Sequence, residues 1–146
     1  MISTNSFNIY NASAGTGKTF SLVRDYLCLL LNSNNYELYK NILAITFTNK
    51  AVNEMKGRIV KYLISYSSSV EPDLIMLKEI SKKTGLSKKE IFLKSSIILK
   101  NLLKNYSAFE ISTIDKLTQK IVRNFTYELG IDSKYEVEID KNEIIN

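Results

Sequence analysis

The chain has 146 residues, of which 45% are hydrophobic and 24% are charged, and it carries a net charge of +5. These values are typical of one globular domain of ordinary size. Because the sequence contains no histidine and a single cysteine, histidine-based catalysis, zinc sites and internal disulfides are excluded.

The ends and the charge distribution suggest where the protein works. The longest apolar run, Tyr26 to Leu31, is too short to cross a bilayer, and the N-terminus lacks a signal-peptide pattern, so we expect a cytoplasmic protein. Residues 1–50 carry a charge of +2, residues 51–104 carry +6 and residues 105–146 carry −3. The basic middle favours a polyanionic partner, although lysines on helix faces commonly serve solvation alone.

The first predicted elements are a strand at Phe7–Tyr10 and a helix that begins near Thr19, joined by a turn of small residues. Free backbone N–H groups in such a turn, together with the positive end of the helix dipole, form a cradle for phosphate. Lys18 can then reach the β- and γ-phosphates, and the Thr19 hydroxyl can bind Mg²⁺. The alternative is a strand–helix turn that binds nothing. The candidate nucleotide-binding residues are Ala12, Ser13, Ala14, Gly15, Thr16, Gly17, Lys18 and Thr19.

The next elements continue a strand–helix alternation. Apolar residues between Leu22 and Leu31 have helical spacing, and Ile42–Ile45 is a continuous apolar run typical of a parallel strand covered on both faces. A second helix runs from Ala51 through Leu63. This order predicts an α/β fold with a parallel sheet and right-handed crossovers.

The second half adds helices and further strands. Helices are predicted at Pro72–Lys83 and Ser87–Asn105, the latter opened by a Ser87–Glu90 capping box, and together they should form an inserted antiparallel helical hairpin at about 72–105. A third strand is predicted at Phe109–Thr113. An amphipathic helix should follow, with Ile114, Leu117, Ile121, Phe125 and Leu129 on one side and an end at Gly130, and a half-exposed strand at Tyr135–Ile139 completes the chain.

Three loops should meet at the carboxyl edge of the predicted sheet: the phosphate cradle, Thr46–Asn49 and Ser112–Asp115. Ligands bind at this edge in open parallel sheets. Phe47 is unusual there, because an exposed aromatic ring beside phosphate-binding groups suits the stacking of single-stranded bases. The alternative is that Phe47 packs beneath the following helix.

These motifs resemble those of superfamily 1 DNA helicases of the UvrD/RecB/AddA type. Asn11–Thr19 is similar to motif I of that family, in which Ala often replaces the first Gly. Ile45–Ala51, with Glu54-Met55 and Arg58-Ile59, resembles motif Ia, and Ile111–Asp115 with the residues up to Gly130 is similar to motif Ic. The resemblance covers nearly the whole chain.

The resemblance implies a P-loop NTPase (RecA-like) fold that uses ATP and Mg²⁺ and moves along single-stranded or partly unwound DNA. It implies that Lys18 binds the β- and γ-phosphates, that Thr19 holds Mg²⁺ and that Phe47 stacks on a base. The implied DNA-binding residues are Thr46, Phe47, Thr48, Asn49 and Thr113. Residues 1–146 would be the N-terminal part of the first motor domain in a protein for DNA repair and recombination.

Several features depart from the family. Asp115 replaces the usual His of motif Ic, and an alternative makes it a Mg²⁺-associated carboxylate that closes a strand. The glutamine that many family members carry upstream of motif I to read adenine is absent, since Gln119 is the only glutamine, so the sequence does not support specificity for adenine. The sequence also lacks the Asp-Glu pair that activates water and the later motor motifs, so we expect a fragment with an incomplete core and hydrolysis near background.

Two other functions remain open. A complete small P-loop NTPase or kinase would use Asp115 or Asp25 as its carboxylate, whereas a non-enzymatic orphan domain would bind DNA or protein through the basic hairpin. For the fragment we expect unpaired strand edges that cause self-association or marginal stability, and for the intact protein a partner in a nuclease complex.

Overall fold

The computed structural model describes residues 17–68, 72–128 and 130. The strands predicted at Phe7–Tyr10 and Tyr135–Ile139 lie outside the described residues. Within the described residues, two parallel strands are accompanied by five α-helices, with 3₁₀ turns at Leu38–Asn41 and Tyr106–Ala108. In chain order the elements are α1 Lys18–Asn32, β1 Ala44–Thr46, α2 Asn49–Ser68, α3 Leu74–Thr84, α4 Lys88–Lys104, β2 Ile111–Thr113 and α5 Ile114–Asn124.

The two strands pair in parallel, as the strand–helix alternation predicts. Ala44 pairs with Ile111, and Thr46 pairs with Thr113 at the carboxyl end. β1 begins two residues later than expected, and the prediction that it is covered on both faces is wrong. Ile45 is 46% exposed, and Leu43 just before the strand is also about half exposed. β2, by contrast, is buried along its whole length.

One hydrophobic core joins the long helices. The stripe of α1 buries Val23, Leu27 and Leu31, and α2 contributes Ile59 and Leu63. Cys28, the only cysteine of the sequence, is buried in the same core as a free thiol, where it serves packing. Burial raises the pKa of the Cys28 thiol to about 11.

The helices of the 72–105 segment form as predicted, but their packing differs from a self-contained hairpin. α3 packs mainly against α1 and α4 mainly against α2, with a smaller contact between α3 and α4. The reason is that α3 and α4 each bury one apolar stripe, and α1 and α2 bury more residues and offer the larger apolar surfaces. The segment is therefore part of the common core.

Local capping signals set the ends of these helices. α3 begins at Leu74, two residues later than predicted, because Asp73 caps it: the Asp73 carboxylate accepts the backbone N–H groups of Ile75 and Met76 at 3.0 Å. Gly85 ends α3 with a left-handed φ of 74°. The predicted Ser87–Glu90 capping box is present, and the hydrogen bonds from Ser87 hold the pKa of Glu90 below its usual range.

α5 differs from its prediction in length and burial. It ends at Asn124 instead of reaching Gly130, because the Phe125 N–H closes the last turn onto Ile121 and Val122 and a run of turn residues follows. None of its residues is fully buried, and Ile114, Ile121 and Phe125 are about half exposed. No helix among the described residues has the length and apolarity required to cross a membrane.

Candidate nucleotide and nucleic-acid site

The described part of the predicted phosphate cradle is the start of α1. Ala12, Ser13, Ala14, Gly15 and Thr16 lie outside the described residues, whereas Gly17 precedes the helix and Lys18 and Thr19 form its first turn. Gly17 has φ 79° and ψ 20°, a left-handed conformation that favours glycine, and open space lies where its Cβ would be.

The amino end of α1 offers an electrostatic environment suited to phosphate. Among the described residues, no side chain caps it and no acidic residue lies in its first turn, so the positive end of the helix dipole has no described carboxylate beside it. Lys18 is exposed and forms no ion pair with the residues that the structure describes. The part of the chain that is described contains no cluster of three or more His, Cys, Asp or Glu side chains able to hold a metal.

The exposed aromatic ring of the candidate site is that of Phe47, at the carboxyl edge of the sheet. Phe47 follows β1 directly and is 85% exposed, so the alternative in which it packs beneath α2 is wrong. The two neighbouring threonines hold this turn in place. The Thr46 hydroxyl donates to the Thr48 carbonyl at 3.2 Å. The Thr48 Oγ1 accepts the Ala51 N–H at 3.1 Å, so Thr48 caps α2, whose first residue is Asn49.

Thr113 closes the second strand in a similar way. Its Oγ1 accepts the Lys116 N–H at 3.3 Å and caps α5. Since Thr113 is buried and paired with Thr46, its side chain supports the edge from inside. The structure therefore brings together two of the three predicted loops, Thr46–Asn49 and Ser112–Asp115, and the third lies mostly outside the described residues.

The two candidate carboxylates differ in their surroundings. Asp115 is exposed in the first turn of α5, two residues after the cap at Thr113, so it does not close a buried strand. Asp25 forms ion pairs with Arg24 at 2.9 Å and with Lys83 at 2.7 Å.

One lysine of the basic middle also has a structural role. The Nζ of Lys94 donates to the carbonyls of Leu31 and Ser33. Part of the basic surplus is thus used inside the fold.

A further group of polar residues on α5 was not singled out as a site from the sequence. Their signal was present in the spacing, since cations recur at positions i, i+4 and i+7 of one helix. The spacing alone does not indicate a site. It becomes informative only when the structure shows that the helix follows the carboxyl edge of the sheet. The residues are Lys116, Gln119, Lys120, Arg123 and Asn124, and they line one shallow groove.

Comparison with known proteins agrees with these motifs. Residues 2–145 match the UvrD/REP helicase N-terminal domain. An ATP-dependent helicase/nuclease subunit of Streptococcus uberis is 32% identical over 143 residues, which cover 97% of this chain and 10% of that protein. The subunit of the same name from Streptococcus agalactiae is 33% identical over 135 residues, covering 92% of this chain and 9% of that protein.

A related subunit from another enzyme also matches. The RecBCD enzyme subunit RecB of Buchnera aphidicola is 32% identical over 155 residues, covering 97% of this chain and 12% of that protein. This chain therefore spans about a tenth of the length of these relatives. No solved structure gives a significant match. The family match spans nearly every residue, and the chain belongs to the UvrD/REP helicase N-terminal domain family.

Proposed function

We propose that this chain is the ATP- and single-stranded-DNA-binding segment of an ATP-dependent DNA helicase or helicase–nuclease subunit that acts in DNA repair and recombination. The observation that carries the proposal is the parallel pairing of Thr46 with Thr113, which places the ends of two family motifs side by side with Phe47 exposed at the same edge. Names of the relatives, an ATP-dependent helicase/nuclease subunit and RecB, support the same function. The intact protein would work with the other subunits of a nuclease complex.

The nucleotide-binding part of the proposal rests on the start of α1. Lys18 binds the β- and γ-phosphates of ATP, and Thr19 binds the Mg²⁺ ion that neutralises them. Ala12–Gly17 supply backbone N–H groups to the phosphates, and the left-handed Gly17 suits a backbone that turns into the helix. A RecA-like P-loop fold in which the described sheet is one part accounts for this arrangement.

The DNA-binding part rests on the sheet edge. Phe47 stacks on a base of the strand, a contact that every base can make because each has a π-face. Thr48 and Asn49 lie beside the backbone of that strand at the start of α2, while Thr46 and Thr113 hold the edge in register. DNA binding by this edge is thus independent of base sequence.

ATP hydrolysis needs more groups than ATP binding does. Phosphoryl transfer depends on a carboxylate that positions water and on charges that stabilise the transition state. These 146 residues contain no adjacent Asp-Glu pair. We therefore propose that the chain binds Mg-ATP but hydrolyses it near the background rate.

The DNA-binding proposal is tested by fluorescence anisotropy with labelled oligo-dT. Phe47→Ala should weaken binding by roughly 1–3 kcal/mol, which is about 5- to 150-fold, because one base–aromatic contact is lost. Phe47→Tyr should retain the affinity. Ile75→Ala, which removes another exposed apolar side chain on α3, is the matched control and should have no effect. Equal affinities for Phe47→Ala and the parent chain would contradict the stacking role.

The nucleotide-binding proposal is tested with a fluorescent ATP analogue and Mg²⁺. Lys18→Ala should abolish the binding signal, and Lys82→Ala, an exposed lysine on α3, should preserve it. A steady, DNA-stimulated ATPase rate that disappears in Lys18→Ala would overturn the proposal of near-background hydrolysis while supporting the phosphate role of Lys18.

A further inference from the structure

The outward face of α5 forms a groove, and every described residue that lines it has a side chain with N–H donors. Two lysines, one arginine and two amides surround a space of about 220 Å³, and no carboxylate of the described residues lines it. A surface with several cationic donors and no acidic residue suits phosphate oxygens, which are anionic acceptors. The lining residues are Lys116, Gln119, Lys120, Arg123 and Asn124.

The positive charge of this groove is only partly neutralised. Lys120 forms an ion pair with Glu110 at 3.0 Å, in which the lysine side chain is 58% exposed. Lys116 and Arg123 form no ion pair with the described residues. Asp115 and Glu128 are the nearest acidic residues along the chain, and neither lines the groove. Within the part of the chain that is described, Lys116 and Arg123 are therefore two cations of the groove that no carboxylate neutralises.

α5 starts at the sheet edge that carries Phe47 and leads back toward the amino end of β2, where Lys120 pairs with Glu110. α5 begins at the residue after Thr113, and the Thr113 hydroxyl accepts the backbone N–H of Lys116, so the first cation stands within one turn of the edge. Seven residues of α-helix rise by roughly 10 Å between Lys116 and Arg123. A strand that leaves Phe47 along α5 would therefore pass several of the donors in turn.

We propose that this α5 groove binds the phosphodiester backbone of the same single strand whose base stacks on Phe47. The inference rests on the proposed DNA-binding function and adds a second contact to it: Phe47 holds a base, and α5 holds the phosphates that follow. Its energetic signature is distinct, because phosphate contacts release counterions and make binding depend on salt, whereas stacking on an aromatic ring does not.

The test measures the affinity of the full 146-residue chain for labelled oligo-dT between 50 and 200 mM salt. Lys116→Gln/Arg123→Gln should reduce the slope of log K against log salt by about 1.4, since each phosphate contact on a single strand contributes about 0.7. Over this fourfold range of salt, the parent should lose about sevenfold more affinity than the variant. The swap Lys116→Arg/Arg123→Lys preserves both charges and should preserve the slope.

A second control removes the same charge elsewhere. Lys82→Gln/Lys89→Gln changes two exposed lysines on α3 and α4 and should leave the slope close to that of the parent. If the α5 variant keeps the parental slope while Phe47→Ala still weakens binding, the α5 groove is refuted and the proposed function stands. Equal losses of slope in the α5 and control variants would likewise refute it, because net charge would then explain the effect. If the parent chain does not bind oligo-dT, the proposed function fails first.

Discussion

Thr46 and Thr113 lie directly opposite each other at the carboxyl ends of two parallel strands. Each strand passes into a helix within three residues, and each helix receives a threonine cap from that turn, Thr48 for α2 and Thr113 for α5. One pairing thus aligns the start of two helices and leaves Phe47 exposed between strand and helix. The same residues that form the candidate DNA edge therefore also stabilise the fold.

The cap of α5 gives the first stability prediction. Thr113→Ala should lower the free energy of unfolding by about 1 kcal/mol, because the Lys116 N–H loses its acceptor. Thr113→Ser keeps the hydroxyl and should recover most of that loss in urea denaturation. If the serine variant is as unstable as the alanine variant, packing of the buried methyl group, and not the cap, is responsible.

Two buried tyrosines should respond in opposite directions to loss of the hydroxyl. The Tyr26 hydroxyl is buried and has no hydrogen-bond partner among the described residues, whereas the Tyr39 hydroxyl donates to the Asn101 carbonyl at 3.0 Å. Tyr26→Phe should be neutral or stabilising, and Tyr39→Phe should cost about 1 kcal/mol. Urea denaturation of both variants measures the difference. A clear loss of stability in Tyr26→Phe would reveal a partner for its hydroxyl.

Lys94 links α4 to the end of α1. Its Nζ donates to the carbonyls of Leu31 and Ser33 at 2.8 and 3.1 Å, where the negative end of the α1 dipole favours a cation. Lys94→Met should therefore lower the free energy of unfolding by about 1.5–3 kcal/mol, as expected for hydrogen bonds that involve a charged group. Lys89→Met, at an exposed position of the same helix, should change the thermal midpoint little.

The thiol of Cys28 predicts a loss of stability in alkali. Burial raises its pKa from 9.0 to about 11 in the folded chain, so folding favours the neutral thiol. This contribution is fully present below pH 9 and is lost as the pH rises through about 11, because only the unfolded chain ionises freely in that window. Folded protein should react slowly with a thiol reagent at pH 8. Cys28→Ala should show a shallower fall of the unfolding free energy between these pH values, although burial also raises the pKa of Tyr26 and Tyr66.

The exposed apolar surface beside α5 predicts self-association. Ile42, Leu43, Leu117 and Ile121 line part of a groove of about 400 Å³, and Leu43 and Ile121 are about half exposed. Such surface favours contact between copies in water. Ile121→Glu should shift the mass measured by light scattering toward the monomer. A parent chain that is a stable, monodisperse monomer would count against this prediction.

Local sequence determined most of the helix starts and stops. The Ser87–Glu90 box and the left-handed Gly85 were predictable because a cap and its partners lie within one turn of each other. The order of strand, helix and motif also identified the family, since those signals are read along the chain. The predicted start of α3 at Pro72 was wrong by two residues, because Asp73 caps the helix and Pro72 lies before it.

Tertiary structure decided how these elements meet. The pairing of Thr46 with Thr113 and the reach of Lys94 to Leu31 join residues more than 60 positions apart. Such contacts depend on which apolar stripes bury each other, and four helices here each bury such a stripe. The exposure of Phe47 is also decided by tertiary packing. An aromatic ring at a strand end is buried or exposed according to which other element packs over it, and neither the ring nor its neighbours in sequence specify that element.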